Sequence, residues 1–239
     1  MRRRRLRQHL PACEIAQGRT HLQGVVLVLA LLVLIIISLL SFSAATQAWH
    51  AQQAARAERD RYAAFLAADA ALNDAEIDID PPAGGARAAL FPVEAELTPK
   101  SECGRGIGAA KQGICSATAA SATAWLRLNL ADAGADGVSV EFGRFTGKPP
   151  LQGVAAVSSQ APRYLIEALP DPHAKPLSTT RRRLVYRVTA IGFGFDHATR
   201  IVLQTVYRKS SQREHSRRLS WRTVDNYEEL RDAIVRRTS

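Results

Sequence analysis

Aromatic residues make up only 6% of the 239 residues and cysteine occurs three times, which excludes a disulfide-dense mini-scaffold. The histidines are scattered, with no pair at i,i+4 and no HExxH, so a zinc site has no support. No GxSxG occurs, and no Cys/His pairing is implied. The stretch Gly104-x-Gly106-x-Gly108 follows no strand and lacks the GK[ST] ending of a phosphate loop. The acids Glu76, Asp78 and Asp80 lack EF-hand spacing and read as a solvated helix exit, with Ca²⁺ binding as the alternative. The sequence is that of a non-enzyme: no catalytic residue, no metal and no cofactor is indicated.

Positive charge is plentiful but uneven. The formal net charge is +10, with six arginines against Glu14 in residues 1–24 and fourteen Lys and Arg against six acids in residues 181–239. The middle of the chain is slightly acidic. The C-terminal arginines come without interleaved aromatics or a reader motif, so nucleic acid is disfavoured as a partner and a solvated or acid-attracting face is favoured.

Residues 25–42 read VVLVLALLVLIIISLLSF, without a charge and with only Ser38 and Ser41 polar. At ~1.5 Å per residue this run rises about 27 Å, close to the ~30 Å of a bilayer core. Arg2, Arg3, Arg4, Arg5, Arg7 and Arg19 precede it and the next basic residue is Arg56, which places the N-terminus in the cytoplasm. A cleaved signal peptide ending near Ser43-Ala44-Ala45 is the alternative, but the run is longer than such segments usually are.

The helix signal continues past the apolar run. Residues 43–76 contain no Gly or Pro and many Ala, and Tyr62, Phe65, Leu66, Ala68 and Leu72 recur at helical spacing. Arg56, Arg59, Asp60 and Asp74 lie opposite, and Pro81-Pro82 forces an end. One helix over residues 25–76 would be about 78 Å long at ~1.5 Å per residue. Its second half needs an apolar surface, expected to meet it through Tyr62, Phe65, Leu66 and Leu72.

Beyond it, Cys103 and Cys115 bracket an eleven-residue Gly-rich loop. In an oxidising compartment they are read as a disulfide, free thiols being the alternative, while Cys13 stays reduced. Period-two runs follow at Val138–Phe142, Tyr164–Leu169, Leu184–Ile191 and Ile201–Tyr207, the last two pairing as a hairpin through Gly192–Thr199. Ser220–Arg237 has helical spacing at Tyr227, Leu230 and Ile234, with a start signal at Asp225 and Glu228. The expected fold is α+β: a long N-terminal helix on a four-stranded antiparallel sheet, with a short C-terminal helix. The divisions are a basic leader 1–24, a membrane half-helix 25–43, an amphipathic half 44–76, an outer domain 77–222 and a basic tail 223–239.

A basic leader, a Gly, an uncharged run and a continuous amphipathic helix together resemble type IV pilins and secretion pseudopilins. The segment Phe65-Leu-Ala-Ala-Asp-Ala-Ala-Leu-Asn-Asp-Ala-Glu76 resembles the F-x-A-A-E-A-A-L-x-x-A-E run of PilX-type minor pilins, matching at Phe65, Ala67, Ala68, Ala70, Ala71, Leu72, Ala75 and Glu76. The Cys103…Cys115 loop, Trp125, Tyr186-Arg-Val-Thr-Ala, Leu203-Gln-Thr-Val-Tyr-Arg and Leu219-Ser-Trp-Arg are similar to that family in order.

The resemblance implies cleavage after Gly24 by a prepilin peptidase and a mature chain beginning, N-methylated, at Val25. It also implies residence in the bacterial inner membrane with a periplasmic outer domain, or in the pilus itself, and partnership with other minor pilins and pilin helices. Position five of the mature chain is Leu29, where major pilins carry a Glu that meets the N-terminal amine of the adjacent subunit. The departure points to a tip or priming position in type IV pilus assembly. A type II secretion pseudopilin, or a bitopic envelope protein whose basic outer domain holds DNA or acidic polymer, are the alternatives.

Overall fold

The computed structural model describes residues 20–82, 84–85, 87–98, 102–116, 124–153, 155, 158–211 and 215–238. The arginines of the leader and Cys13 lie outside them. The chain forms two units, residues 1–55 and 56–239. Helix α1 (Thr20–Ile79) begins in the first and ends in the second. It is longer at both ends than the expected 25–76. Between Val25 and Asp80 no Gly or Pro interrupts the backbone, and the Asp80 N–H still donates to the Glu76 carbonyl at 2.9 Å before Pro81-Pro82 removes the donors.

In the first unit every side chain from Gly24 to Ala55 is exposed. The polar members of the helix satisfy themselves: Ser38 Oγ donates to the Leu34 carbonyl and Thr46 Oγ1 to that of Ser43, each at 2.8 Å. The helix is long and apolar enough to cross a membrane.

The second unit is α+β. Its sheet has seven strands rather than the expected four: β1 (Glu94–Glu96), β2 (Ile114–Cys115), β3 (Val140–Glu141), β4 (Arg163–Pro170), β5 (Arg181–Phe193), β6 (Arg200–Arg208) and β7 (Arg217–Thr223). The order is β2-β4-β5-β6-β7, with β1 on β5 and β3 on β4. Pairing is antiparallel except for β2 with β4. Strands β4, β5 and β6 occupy three of the expected runs, and β5 turns into β6 through residues 194–199, the expected hairpin. The Val138–Phe142 run contracts to β3. The extra strands are hard to see in the sequence because β1 and β2 are three and two residues long, and the short alternation of β7 at Leu219 and Trp221 overlaps the segment expected to be helical. Residues 217–223 are thus strand, so the helical segment does not begin at Ser220, and the C-terminal helix α3 (Tyr227–Thr238) starts two residues after Asp225 of the expected start signal.

Alternation along the strands gives two cores. Tyr164, Ile166, Tyr186, Val188 and Leu203 pack with Leu72 and Ile79 of α1. Leu165, Ile191, Phe193 and Val202 point the other way and pack with Trp125 of α2 (Ala124–Arg127) and Tyr227 of α3. The Trp125 and Tyr227 rings stack with centroids 6.0 Å apart. Helix α1 thus packs on one face of the sheet as expected, and α2 and α3 pack on the other.

Candidate assembly helix and its mooring to the sheet

The first unit presents an apolar helix surface with no partner among the described residues. Val25 is 66% exposed and Leu29 63%, and a Cβ at Gly24 would meet no atom within 4 Å. Glycine is a poor helix former, costing about 1 kcal/mol against Ala. Among the described residues nothing requires Gly24 to be glycine.

In the second unit the alanines of α1 form the contact. Ala63, Ala64, Ala67, Ala68, Ala71, Leu72, Ala75 and Ile79 are fully buried, whereas Phe65, Leu66, Ala70 and Glu76 are half-buried. Tyr62, expected on the buried face, is 57% exposed, and of the larger expected residues only Leu72 is fully enclosed. The reason lies in β5. A Cβ on Gly192 would collide with the Ala64 carbonyl and the Ala68 backbone, so the strand passes against the helix itself and the helix must be small there. Phe65 instead lies at the flank, edge-to-face with Trp221 of β7 at 6.1 Å between centroids.

Two buried carboxylates border the alanine stripe, and both were missed as mooring points. Asp74 accepts from the Gly143 N–H at 2.7 Å and from Thr146 Oγ1, with Lys148 Nζ at 3.9 Å, which fixes the 143–148 loop to the helix. Asp78 accepts from the Tyr164 hydroxyl at 3.0 Å and faces Arg87 at 3.4 Å. Burial pushes the Asp78 carboxyl up to about 6, against the opposing pull of Arg87 and Tyr164, and holds the Arg87 guanidinium below its ordinary range. Desolvation thus outweighs the attraction within this pair. The acids at the helix exit are not a solvated cluster: Glu76 binds Arg218, Asp78 is enclosed, and Asp80 accepts from the Ser210 N–H at 3.2 Å. Asp74, expected on the face opposite the apolar stripe, is instead fully buried beside it, and an acid at helical spacing from the buried alanines is the sequence signal that could have found both buried carboxylates.

Arg87 extends the mooring to the Cys103–Cys115 disulfide loop. Its Nη2 donates to the Gln112 carbonyl at 2.9 Å and its guanidinium sits 3.8 Å from the centre of the Phe145 ring. Gln112, itself buried, accepts from the Gly108 N–H and donates to the Ser139 carbonyl, both at 2.9 Å, so the glycine loop closes on its own side chain. Gly113 turns the chain at φ +74° into β2, and its carbonyl accepts from the Ile166 N–H at 2.7 Å. Cys115 is fully buried at the start of the second core.

Among the described residues no group of three His, Cys, Asp or Glu side chains is placed to hold a metal ion. The surfaces that stand out are a bare apolar helix and a moored one.

Comparison with known families gives two matches. Residues 23–73 match the PilX N-terminal family and residues 111–209 match the family described as type IV pilus assembly protein PilX, C-terminal. Between them they take in most of α1 and the sheet from β2 to β6. No curated protein and no solved structure matches the chain.

Proposed function

The chain belongs to the PilX family of type IV pilus assembly proteins, and from that premise we propose that this minor pilin acts in the tip or priming complex of the fibre. The apolar half of α1 anchors the subunit in the inner membrane, with the leader in the cytoplasm and the sheet in the periplasm. A prepilin peptidase cuts after Gly24, and Val25 becomes the N-terminus. The apolar half then exchanges lipid for a bundle of neighbouring pilin helices. Left in water it would expose eighteen residues at about 25 cal/mol per Å² of apolar surface, so it always needs one environment or the other.

The observation that supports the processing step is Gly24: a helix-weakening residue whose side-chain position meets nothing among the described residues, and whose missing side chain lets a protease approach the backbone. The tip position rests on Leu29. A subunit with neighbours on both sides has a use for a carboxylate facing the next subunit's amine; one without that neighbour would bury an unpaired charge. Interaction with other pilus components follows from the family, and the specific proposal is packing against other minor pilins and pilin helices.

Intact-mass measurement of membrane-extracted protein tests the reading. The expected species begins at Val25 and lacks Cys13. A retained leader, or a cut near Ala45, would overturn it.

A further inference from the structure

Between the apolar run and the second unit, α1 carries only small or polar side chains, with one exception. Residues 43–55 read SAATQAWHAQQAA, and Trp49 is their sole large apolar residue. It is 61% exposed and makes no ring, hydrogen-bond or ionic contact among the described residues. A tryptophan gains nothing as a helix former and exposes apolar area in water. Its chemistry, an apolar body with an N–H donor, suits the headgroup layer of a bilayer.

The helical rise supports that seat. Trp49 lies 24 residues beyond Val25, about 36 Å along the helix at ~1.5 Å per residue. A hydrocarbon core of ~30 Å plus one headgroup layer of roughly 5–7 Å spans the same distance. A Trp49 ring seated in the outer headgroup layer therefore brings the Gly24–Val25 bond to the opposite boundary of the core.

We propose that Trp49 is a membrane-depth anchor: its indole occupies the lipid headgroup layer on the side away from the leader and so positions the Gly24–Val25 bond at the cytoplasmic boundary for cleavage. This rests on the membrane and processing reading above. An interface residue of this kind also holds the subunit in the bilayer until assembly withdraws it.

The test uses the full chain in phosphatidylcholine vesicles, with alkaline extraction confirming that it is integral. Subtracting the fluorescence of the Trp49→Phe chain from that of the native chain isolates Trp49 and leaves Trp125 and Trp221 untouched. Lipids brominated near the headgroup end of the acyl chain should quench this signal more than lipids brominated near the tail, by roughly two-fold or more. In cells, Trp49→Ala should slow conversion to the mature form several-fold and Trp49→Tyr should restore it. Three outcomes overturn the anchor: an integral protein whose Trp49 is quenched as if in bulk water, equal quenching by both lipids, or unchanged conversion in Trp49→Ala. A chain that is never integral, or never cleaved at Gly24, instead removes the reading beneath it.

Discussion

Gly192 of β5 lies directly beneath Ala64 of α1, close enough that no side chain fits between strand and helix. At this crossing the larger side chains move to the flanks, where Phe65 finds Trp221, while further along the helix Asp74 and Asp78 are buried against the 143–148 loop and Tyr164.

Adding even a methyl group at this crossing should force helix and strand apart. Gly192→Ala is expected to destabilise the second unit by about 1–3 kcal/mol, as overpacked cores generally are. Denaturant unfolding of the detergent-solubilised full chain, followed by circular dichroism, measures the loss. A substitution without effect would mean that the interface is loose.

The Asp78 carboxyl, at about 6 in the folded chain against an ordinary 3.8, gives a pH dependence of definite sign. Between these values the folded chain holds a proton that the unfolded chain has released. Its stabilising contribution is full below about pH 4 and is lost as pH rises through 6. At 1.36 kcal/mol per unit the change is about 3 kcal/mol. Asp78→Asn should remove this fall while still accepting the Tyr164 hydroxyl. Unfolding curves at half-unit steps from pH 4 to 7 compare the two slopes; parallel slopes would exclude Asp78 as the titrating group.

The Cys103–Cys115 bond closes a loop of twelve residues' separation, whose Gln112 joins Arg87 to Ser139. Cys103→Ser should cost about 2–4 kcal/mol by the chain-entropy argument. The same shift should follow reduction of the native chain, read as equal drops in denaturation midpoint. A reductant that changes nothing would show that the loop is held by its hydrogen bonds, those of Gln112 among them, without the disulfide.

The parts of this fold that were legible in the sequence are those whose signal is long. Helix α1 shows as a stretch without Gly or Pro, and β4, β5 and β6 show as β-branched runs separated by turns. The two- and three-residue strands are too short to show a period, and β7, RRLSWRT, carries only one short alternation at Leu219 and Trp221, which falls where the helical reading of Ser220–Arg237 begins. The buried face of α1 was misjudged for a different reason. Weighing side chains by size selects Tyr62, whereas a helix pressed onto a glycine-bearing strand buries its smallest residues. Pairings such as Asp78 with Arg87 and Tyr164, or Asp74 with Gly143, join positions far apart in the chain and become visible only when the sheet is assembled.

Leu29 supplies the sharpest test of where the subunit sits. Its side chain is exposed on the bare apolar half of α1, four residues from the proposed mature N-terminus at Val25. In a shaft position, a carboxylate at residue 29 could neutralise the amine of an adjacent subunit, which offsets the cost of burying either charge. At a tip the neighbour on that side is missing, and the added charge would be desolvated without a partner, a penalty of several kcal/mol. Leu29→Glu should therefore leave the folding of the sheet unit unchanged, since that unit begins at Arg56, while fibre assembly weakens or stays no better than before. Counting pili per cell and labelling an epitope tag on sheared fibres measures both quantities. If Leu29→Glu instead raises the number of subunits along the shaft, the subunit has two-sided neighbours and the tip assignment has to be given up.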